Sequence, residues 1–481
     1  MKKVLGVCAA LCMTAFVTEA KITLPHVFGD NMVLQQQTEV KFWGKADPVS
    51  KVTVRPSWDR KSAVTVMSDA DGKWQASVPT PSAGGPYTVE ISDEEKLVLK
   101  NVLVGEVWLC SGQSNMEMTV RGFWAQPVEG SVDVIMKADP STPVRFCSVK
   151  RATAFSPQED CDARWTEHTP GGVANASATA YFFGRYLNEV LGVPVGLIIT
   201  DWGGTAIQAW MDSETIEKSF PEIDLSFIAR KEQPKNPIGY PSLIYNAMMA
   251  PLIPYTIKGM IWYQGEANRG KPEQYRRLQP VFVQMLREKW GLGEFPFYYV
   301  QIAPYVYDGE DSLQSAYLRE AQLMNLEDIP NSGMAVTMDI GDFHCIHPAK
   351  KRQVGERLAN LALYQTYGKK WVDPYSPVYD SWEMKDGKII VKFKVGRDGL
   401  APYGHTLGGF QVAGPDRVFH KATARIVTSE TGHRDAVEVS CPEVKEPAAV
   451  RYGFVNCPEA SLYNCFGMPA SSFRTDSWPE K

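Results

Sequence analysis

Three apolar runs, at residues 104–109, 195–200 and 257–263, each end in a polar turn: Cys110-Ser111-Gly112, Asp201-Trp202-Gly203-Gly204 and Gln264-Gly265-Glu266. Continuous apolar runs are what strands covered on both faces require, and Gly-rich turns opening onto amphipathic helices are how such strands connect. The pattern restricts residues 101–370 to an α/β architecture built on a mostly parallel sheet. In an open sheet of that kind ligands collect beyond the carboxyl ends of the strands, so the three turns are expected to converge on one crevice. Between them Ala178, Tyr181, Phe182, Arg185, Tyr186 and Val190 recur at helical spacing, as do apolar residues within 275–290; both aromatic stripes read as core packing. A further strand at 333–338 and a helix at 351–367 complete the unit.

The texture differs on either side. Residues 21–100 alternate short β-favouring runs such as Glu39-Val40-Lys41-Phe42-Trp43 with Gly, Pro, Asp and Ser, the pattern of a small β-sandwich. Residues 371–481 do the same, as in Lys388-Ile389-Ile390-Val391-Lys392-Phe393, so a C-terminal β-sandwich region is expected. A single hydrophobic core rarely extends past ~250–300 residues, which agrees with several regions in a chain of 481. Residues 1–20 read as a signal peptide: Lys2 and Lys3 precede an apolar run at 4–17, and Thr18-Glu19-Ala20 supplies the small residues of a cleavage site. Export to the periplasm or the exterior is the expectation. No later run is apolar over the ~20 residues of a membrane span.

A net charge of -5 without any Lys/Arg run longer than three residues gives no electrostatic footprint for nucleic acid or an anionic membrane. Beyond residue 20 lie Cys110, Cys147, Cys161, Cys345, Cys441, Cys457 and Cys465, without CxxC pairs or a His/Cys cluster, so neither a metal nor another cofactor is expected. Cys457 and Cys465 flank a turn and are candidates for a local bridge, with buried free thiols as the alternative.

Hydroxyl attack on an ester needs a base for the proton and donors for the oxyanion. Gly112-Gln113-Ser114-Asn115-Met116 follows the first strand, where glycine permits a sharp turn and a following helix aims backbone N–H groups at Ser114. Ser114 is the candidate nucleophile; a helix N-cap is its alternative role. Met116 stands where the Gly-x-Ser-x-Gly elbow of other hydrolases has its second glycine. Of the seven histidines, His344 and His347 lie just beyond a strand of the central sheet, in Asp339-Ile340-Gly341-Asp342-Phe343-His344-Cys345-Ile346-His347-Pro348, and one is the candidate base. An unperturbed imidazole would titrate near ~6–7.

Taken in order, Gly112-Gln113-Ser114-Asn115-Met116, Trp202-Gly203-Gly204-Thr205, Trp262-Tyr263-Gln264-Gly265-Glu266 and Ile346-His347-Pro348 with Lys351 resemble the sialate O-acetylesterase family of SGNH hydrolases. So do the closing segments Arg451-Tyr452-Gly453-Phe454 and Phe473-Arg474-Thr475-Asp476-Ser477-Trp478-Pro479. The resemblance implies a three-layer α/β/α esterase region and an acetylated carbohydrate as substrate. It implies that Ser114 attacks the acetyl carbonyl, that His347 relays the proton, and that water then frees acetate. It also implies an oxyanion hole from the Ser114 amide, a backbone amide of Gly203 or Gly204, and a side chain of the third block. Many SGNH enzymes place an asparagine two residues after that block's glycine; Ala267 stands there, leaving Gln264, favoured because it ends the strand, or Asn268.

The triad acid usually lies three residues before the histidine, a position held here by His344. Asp342 is the nearest carboxylate, Asp339 and Glu266 are alternatives, and a Ser-His dyad oriented by a carbonyl is a further one. The family's sugar is O-acetylated sialic acid, whose carboxylate calls for a cation; Arg121, Arg269, Arg319 and Arg474 are candidates, with Asn268 as a polar contact. Acetylated xylan or pectin oligosaccharides suit the same chemistry. Two readings from other classes are an inactive glycan-binding protein and a glycosidase using Glu117 and Glu266.

Overall fold

A computed structural model describes residues 22–478 apart from 94, 233, 387, 405, 431, 459 and 460, so the expected signal peptide lies outside the described residues. The strand Lys96–Gly112 is the axis of the molecule. Its first half pairs with Gly84–Ser92 and, in parallel, with Val33–Gln35; its second half runs parallel between Val195–Asp201 and Gly259–Tyr263. One unbroken strand thus carries the chain from the N-terminal β-region into the central sheet, and residue 100 falls inside it.

Across the central sheet the order is Ser332–Ala335, Phe297–Val300, Gly259–Tyr263, Lys96–Gly112, Val195–Asp201, Val144–Val149 and Ala163–Thr166. All neighbours are parallel except the last pair. Alternation along the strands sorts the apolar residues to two faces. Val107, Leu109, Met260 and Trp262 pack with Tyr275, Leu278 and Phe282 of the helix Pro272–Trp290. Trp108, Cys110, Ile261 and Tyr263 pack with Phe183 and Leu187 of Ala178–Leu191 and Leu358 and Leu361 of Lys351–Gln365. Helices on both faces make the three-layer α/β/α arrangement, and the aromatic stripes are core, as Tyr181 and Phe182 at 3% and 2% exposure illustrate.

Register brings the strand ends level. Ser111 is opposite Thr200 and Trp262, and Gly112 is opposite Asp201 and Tyr263, so all three polar turns leave the sheet at one edge. The strand expected at 333–338 is Ser332–Ala335, and beyond it Thr337 donates its hydroxyl to Gln301 O at 2.6 Å.

Beyond residue 377 two four-stranded antiparallel sheets share a core of Ile389, Val391, Phe393, Val412, Val437, Val450, Tyr452 and Phe473. Arg319 fastens this region to the central one: fully buried on the helix Gln314–Asp328, it donates to Ser472 Oγ at 3.1 Å and to Val455 O. The seven described cysteines, Cys457 and Cys465 included, are free thiols. Among the described residues no helix is long and apolar enough to cross a membrane.

Candidate active site

Gly112 is held at a φ of 149°, and a Cβ there would meet Tyr263 O at 2.1 Å. Glycine alone lets the chain leave the central strand so close to its neighbour. A single helical turn follows, Ser114–Glu117, with the Met116 and Glu117 amides donating to Gln113 O at 2.8 and 2.9 Å. Ser114 is its half-buried first residue; the N-cap position belongs to Gln113, so the Ser114 hydroxyl is free of the capping role. Gln113 binds the nucleophile turn to the third block. Its amide donates to Tyr263 O at 2.9 Å, and its Oε1 accepts from the Gly265 and Ala267 amides at 3.3 and 3.2 Å.

Beneath Ser114 lies a buried polar cluster. Asn115 Oδ1 accepts from Lys351 Nζ at 2.5 Å, while Asn115 Nδ2 donates to Glu266 Oε1 at 2.6 Å and to Ile346 O at 3.1 Å. The ammonium and the two acceptors fix which way the amide points. Burial pushes the Lys351 pKa down to about 7, with Glu266 acting in the opposite direction. Burial likewise raises the Glu266 carboxyl above the usual carboxylate range, against the pull of Asn115 and Lys351. Asn115 therefore joins the Ser114 turn, the third block and the residue before His347 through one side chain.

His347 is half-buried in its loop, and its Nδ1 faces Gln126 Oε1 at 2.7 Å. The ring edge of Phe123 packs against the imidazole, with centroids 5.2 Å apart at 80°. None of the three acid candidates occupies this place. Asp342 is exposed, and its Oδ1 accepts from the His344 and Cys345 amides at 2.9 and 3.2 Å, closing its own loop. Asp339 forms a paired contact with Arg357 at 2.8 and 2.7 Å, and Glu266 is taken by Asn115. His344 is exposed. Burial, and then the Lys351 charge, hold the His347 pKa at about 4. A neutral amide on Nδ1 offers no counter-charge to oppose that shift, as an aspartate would.

The expected oxyanion donors divide. Gly203 packs on the nucleophile, since a Cβ there would lie 3.3 Å from Ser114 Cβ, but its N–H donates to Glu117 Oε2 at 2.5 Å. The other Glu117 oxygen is paired with Arg151. Gln264 is fully buried with its Nε2 committed to Thr205 O at 3.1 Å and Asn268 Oδ1 at 2.7 Å, so in this arrangement it braces the turn instead of facing a substrate. Asn268 in turn donates to Gln208 Oε1 at 3.1 Å. The Ser114 and Gly204 amides donate to no backbone acceptor among the described residues.

The arginines are mostly committed. Arg269 pairs with Asp308 at 2.7 Å and lies over the Tyr307 ring, Arg474 chelates Glu320, and Arg319 is buried. Arg121 is exposed and forms no ion pair among the described residues. Gln126 lies outside every motif read from the sequence; Asn115 and Lys351 stood inside recognisable motifs without an evident role.

Residues 104–364, more than half of the chain, match the family described as carbohydrate esterase, sialic acid-specific acetylesterase. The chain belongs to that family. Sialate O-acetylesterases from Pongo abelii and Homo sapiens are each 30% identical to it, covering 74% of this chain and 73% of their own length. A crystal structure of a carbohydrate acetylesterase from Xanthomonas citri is 33% identical, with a TM-score of 0.85, covering 95% of this chain and all of that one. As a carbohydrate esterase of this family, the protein is a carboxylic ester hydrolase acting on O-acetyl esters. Glu117 and Glu266, considered above as a glycosidase pair, are held by Gly203 and Arg151 and by Asn115 respectively.

Proposed function

We propose that this carbohydrate esterase deacetylates sugars through an acetyl-enzyme on Ser114, with His347 as general base and Gln126, in place of an acid, orienting it. The observation that carries the reading is the His347 Nδ1 contact with Gln126 Oε1, in a loop that Asn115 ties to the Ser114 turn. If Nδ1–H donates to Gln126, the Nε2 lone pair is the one available to take the Ser114 proton. Attack on the acetyl carbonyl then places a negative charge among the Ser114 and Gly204 amides. The imidazolium protonates the departing sugar oxygen, and the same Nε2 activates the water that frees acetate. The division into residues 21–100, 101–370 and 371–481, and export after removal of residues 1–20, belong to the same proposal.

The proposed sugar is O-acetylated sialic acid, with Arg121, the exposed one of the four arginines and without an ion pair among the described residues, as its cation. A second reading is a neutral acetylated glycan such as xylan, since the Glu117 carboxylate beside Gly203 and Ser114 already engages Arg151 and leaves that guanidinium no free charge for an anionic sugar. Acetate release from acetylated sialic acid and from acetylated xylo-oligosaccharides separates the two. Under the first reading Arg121→Ala raises KM for the sialic acid alone; an enzyme that turns over only xylo-oligosaccharides establishes the second.

The orienting residue has its own signature in pH. Since His347 is neutral, and so basic, above its folded pKa, kcat/KM should stay level down to about pH 5 and fall below it with an apparent pKa of about 4. Gln126→Glu places a negative charge on Nδ1, stabilises the imidazolium, and should move that limb to higher pH. Gln126→Leu should lower kcat by roughly 10²-fold or more through loss of the tautomer, whereas Asp342→Asn should leave both limb and kcat unchanged. An Asp342→Asn variant as impaired as Gln126→Leu would return the orienting role to Asp342.

A further inference from the structure

The segment from Thr119 to Gln126 crosses from the nucleophile turn to the histidine. Phe123 and Gln126 exchange backbone hydrogen bonds, Phe123 N to Gln126 O at 3.0 Å and Gln126 N to Phe123 O at 3.1 Å, leaving Trp124 and Ala125 as a two-residue hairpin tip. Ala125, the second tip residue, takes a left-handed φ of 59°, as the third position of a type II turn does. Gly122, at φ 85°, lets the arm pass so near that a Cβ would lie 2.3 Å from Gln126 O. The arm is moored by Val120 N to Ala176 O at 2.9 Å and by Thr119 Oγ1 to Gly122 O at 3.1 Å.

At the hairpin base both side chains touch His347, Phe123 by its ring edge and Gln126 through Nδ1. At its tip Trp124 is 94% exposed, more than any other large apolar side chain described. Tryptophan is highly buried on average, so one held almost wholly in water on a tight, anchored turn is not there for core packing. Its place in the chain, one residue from Phe123 and two from Gln126, both contacts of the proposed base, holds the tip close to His347.

We infer that Trp124 is the platform on which the acetylated sugar ring lies while its ester reaches Ser114. The axial C–H face of a pyranose is apolar and weakly positive, and the indole face carries the complementary negative quadrupole. The assignment rests on the acetylated-sugar reading above and adds to it a specificity-determining residue outside the reacting atoms. Because stacking needs only a C–H face, the platform serves an anionic or a neutral sugar equally, and choice between them falls to charges elsewhere.

The test compares an acetylated oligosaccharide with ethyl acetate, which has no ring to stack. For Trp124→Ala, the ratio of kcat/KM on the sugar to kcat/KM on ethyl acetate should fall about 10-fold, carried by KM, as loss of one aromatic stacking contact implies. Trp124→Tyr should restore most of it. A ratio equal to that of the wild type, with sugar turnover intact, overturns the platform and leaves Trp124 to a partner other than substrate. An equal loss on both esters overturns it as well, showing that the tip only steadies His347. If the wild type releases acetate from ethyl acetate but from no acetylated sugar, the functional reading fails, and the platform with it.

Discussion

Ser114→Ala is expected to lower kcat for acetate release by roughly 10⁴-fold or more while the protein stays folded. The magnitude follows from losing the atom that forms the covalent intermediate, which neither binding energy nor the remaining oxyanion donors replace. Preservation of the fold follows from the local structure. The Ser114 side chain forms no hydrogen bond among the described residues, the helical turn is held by Gln113 O, and the N-cap is Gln113. Loss should be as severe with ethyl acetate as with a sugar ester, because the step removed is common to both. Turnover within tenfold of wild type, with circular dichroism unchanged, would mean that the nucleophile lies elsewhere.

The second large effect concerns stability. Lys351→Met should destabilise the protein by about 3–5 kcal/mol, the range for removing one partner of a buried charged pair. Lys351 is fully buried and meets the inward-turned carboxylate of the partly buried Glu266 through Asn115, so deletion of the ammonium strands that carboxylate without a counter-charge. Glu266 has its folded pKa already raised above the unfolded value, and it rises further without Lys351. The folded state then binds the proton more readily than the unfolded chain, so the deficit should be largest at neutral pH and shrink as pH falls through the folded pKa. Adding Glu266→Gln to Lys351→Met should recover much of the loss, a coupling that independent sites would not show. Thermal unfolding of the two single variants and the double variant at two pH values reads all of this.

What the sequence made legible was whatever depends on local pattern. The buried strands, their glycine turns and the helical stripes of 178–190 and 275–290 are set by periodicity, and Ser114 stands out because Gly112 must turn sharply beside Tyr263. The histidine loop was legible for the same reason. The orienting contact was not, since Gln126 lies 221 residues from His347 and reaches it by a hairpin whose two-residue tip contains no glycine. Asp342 drew attention by proximity in sequence, yet a short carboxylate in a loop finds nearby amides first, here those of His344 and Cys345. Gln264 directly follows the strand Gly259–Tyr263 instead of ending it, and its amide turns inward to Thr205 and Asn268 because a fully buried donor must be satisfied. The change of texture near residue 100 reflects a change of neighbours along one strand, since Lys96–Gly112 passes from edge pairing to a position covered on both faces.

The central claim is that the acetyl group passes through Ser114 on its way to water, and trapping that intermediate tests it most directly. Wild-type enzyme quenched in acid during turnover of an acetylated oligosaccharide, then digested and analysed by mass spectrometry, should show one acetyl group on the peptide containing Ser114. It should be absent without substrate and absent in Ser114→Ala. Acetate release at full rate with no acetylated Ser114 peptide, or with the acetyl group on another residue, would contradict the account.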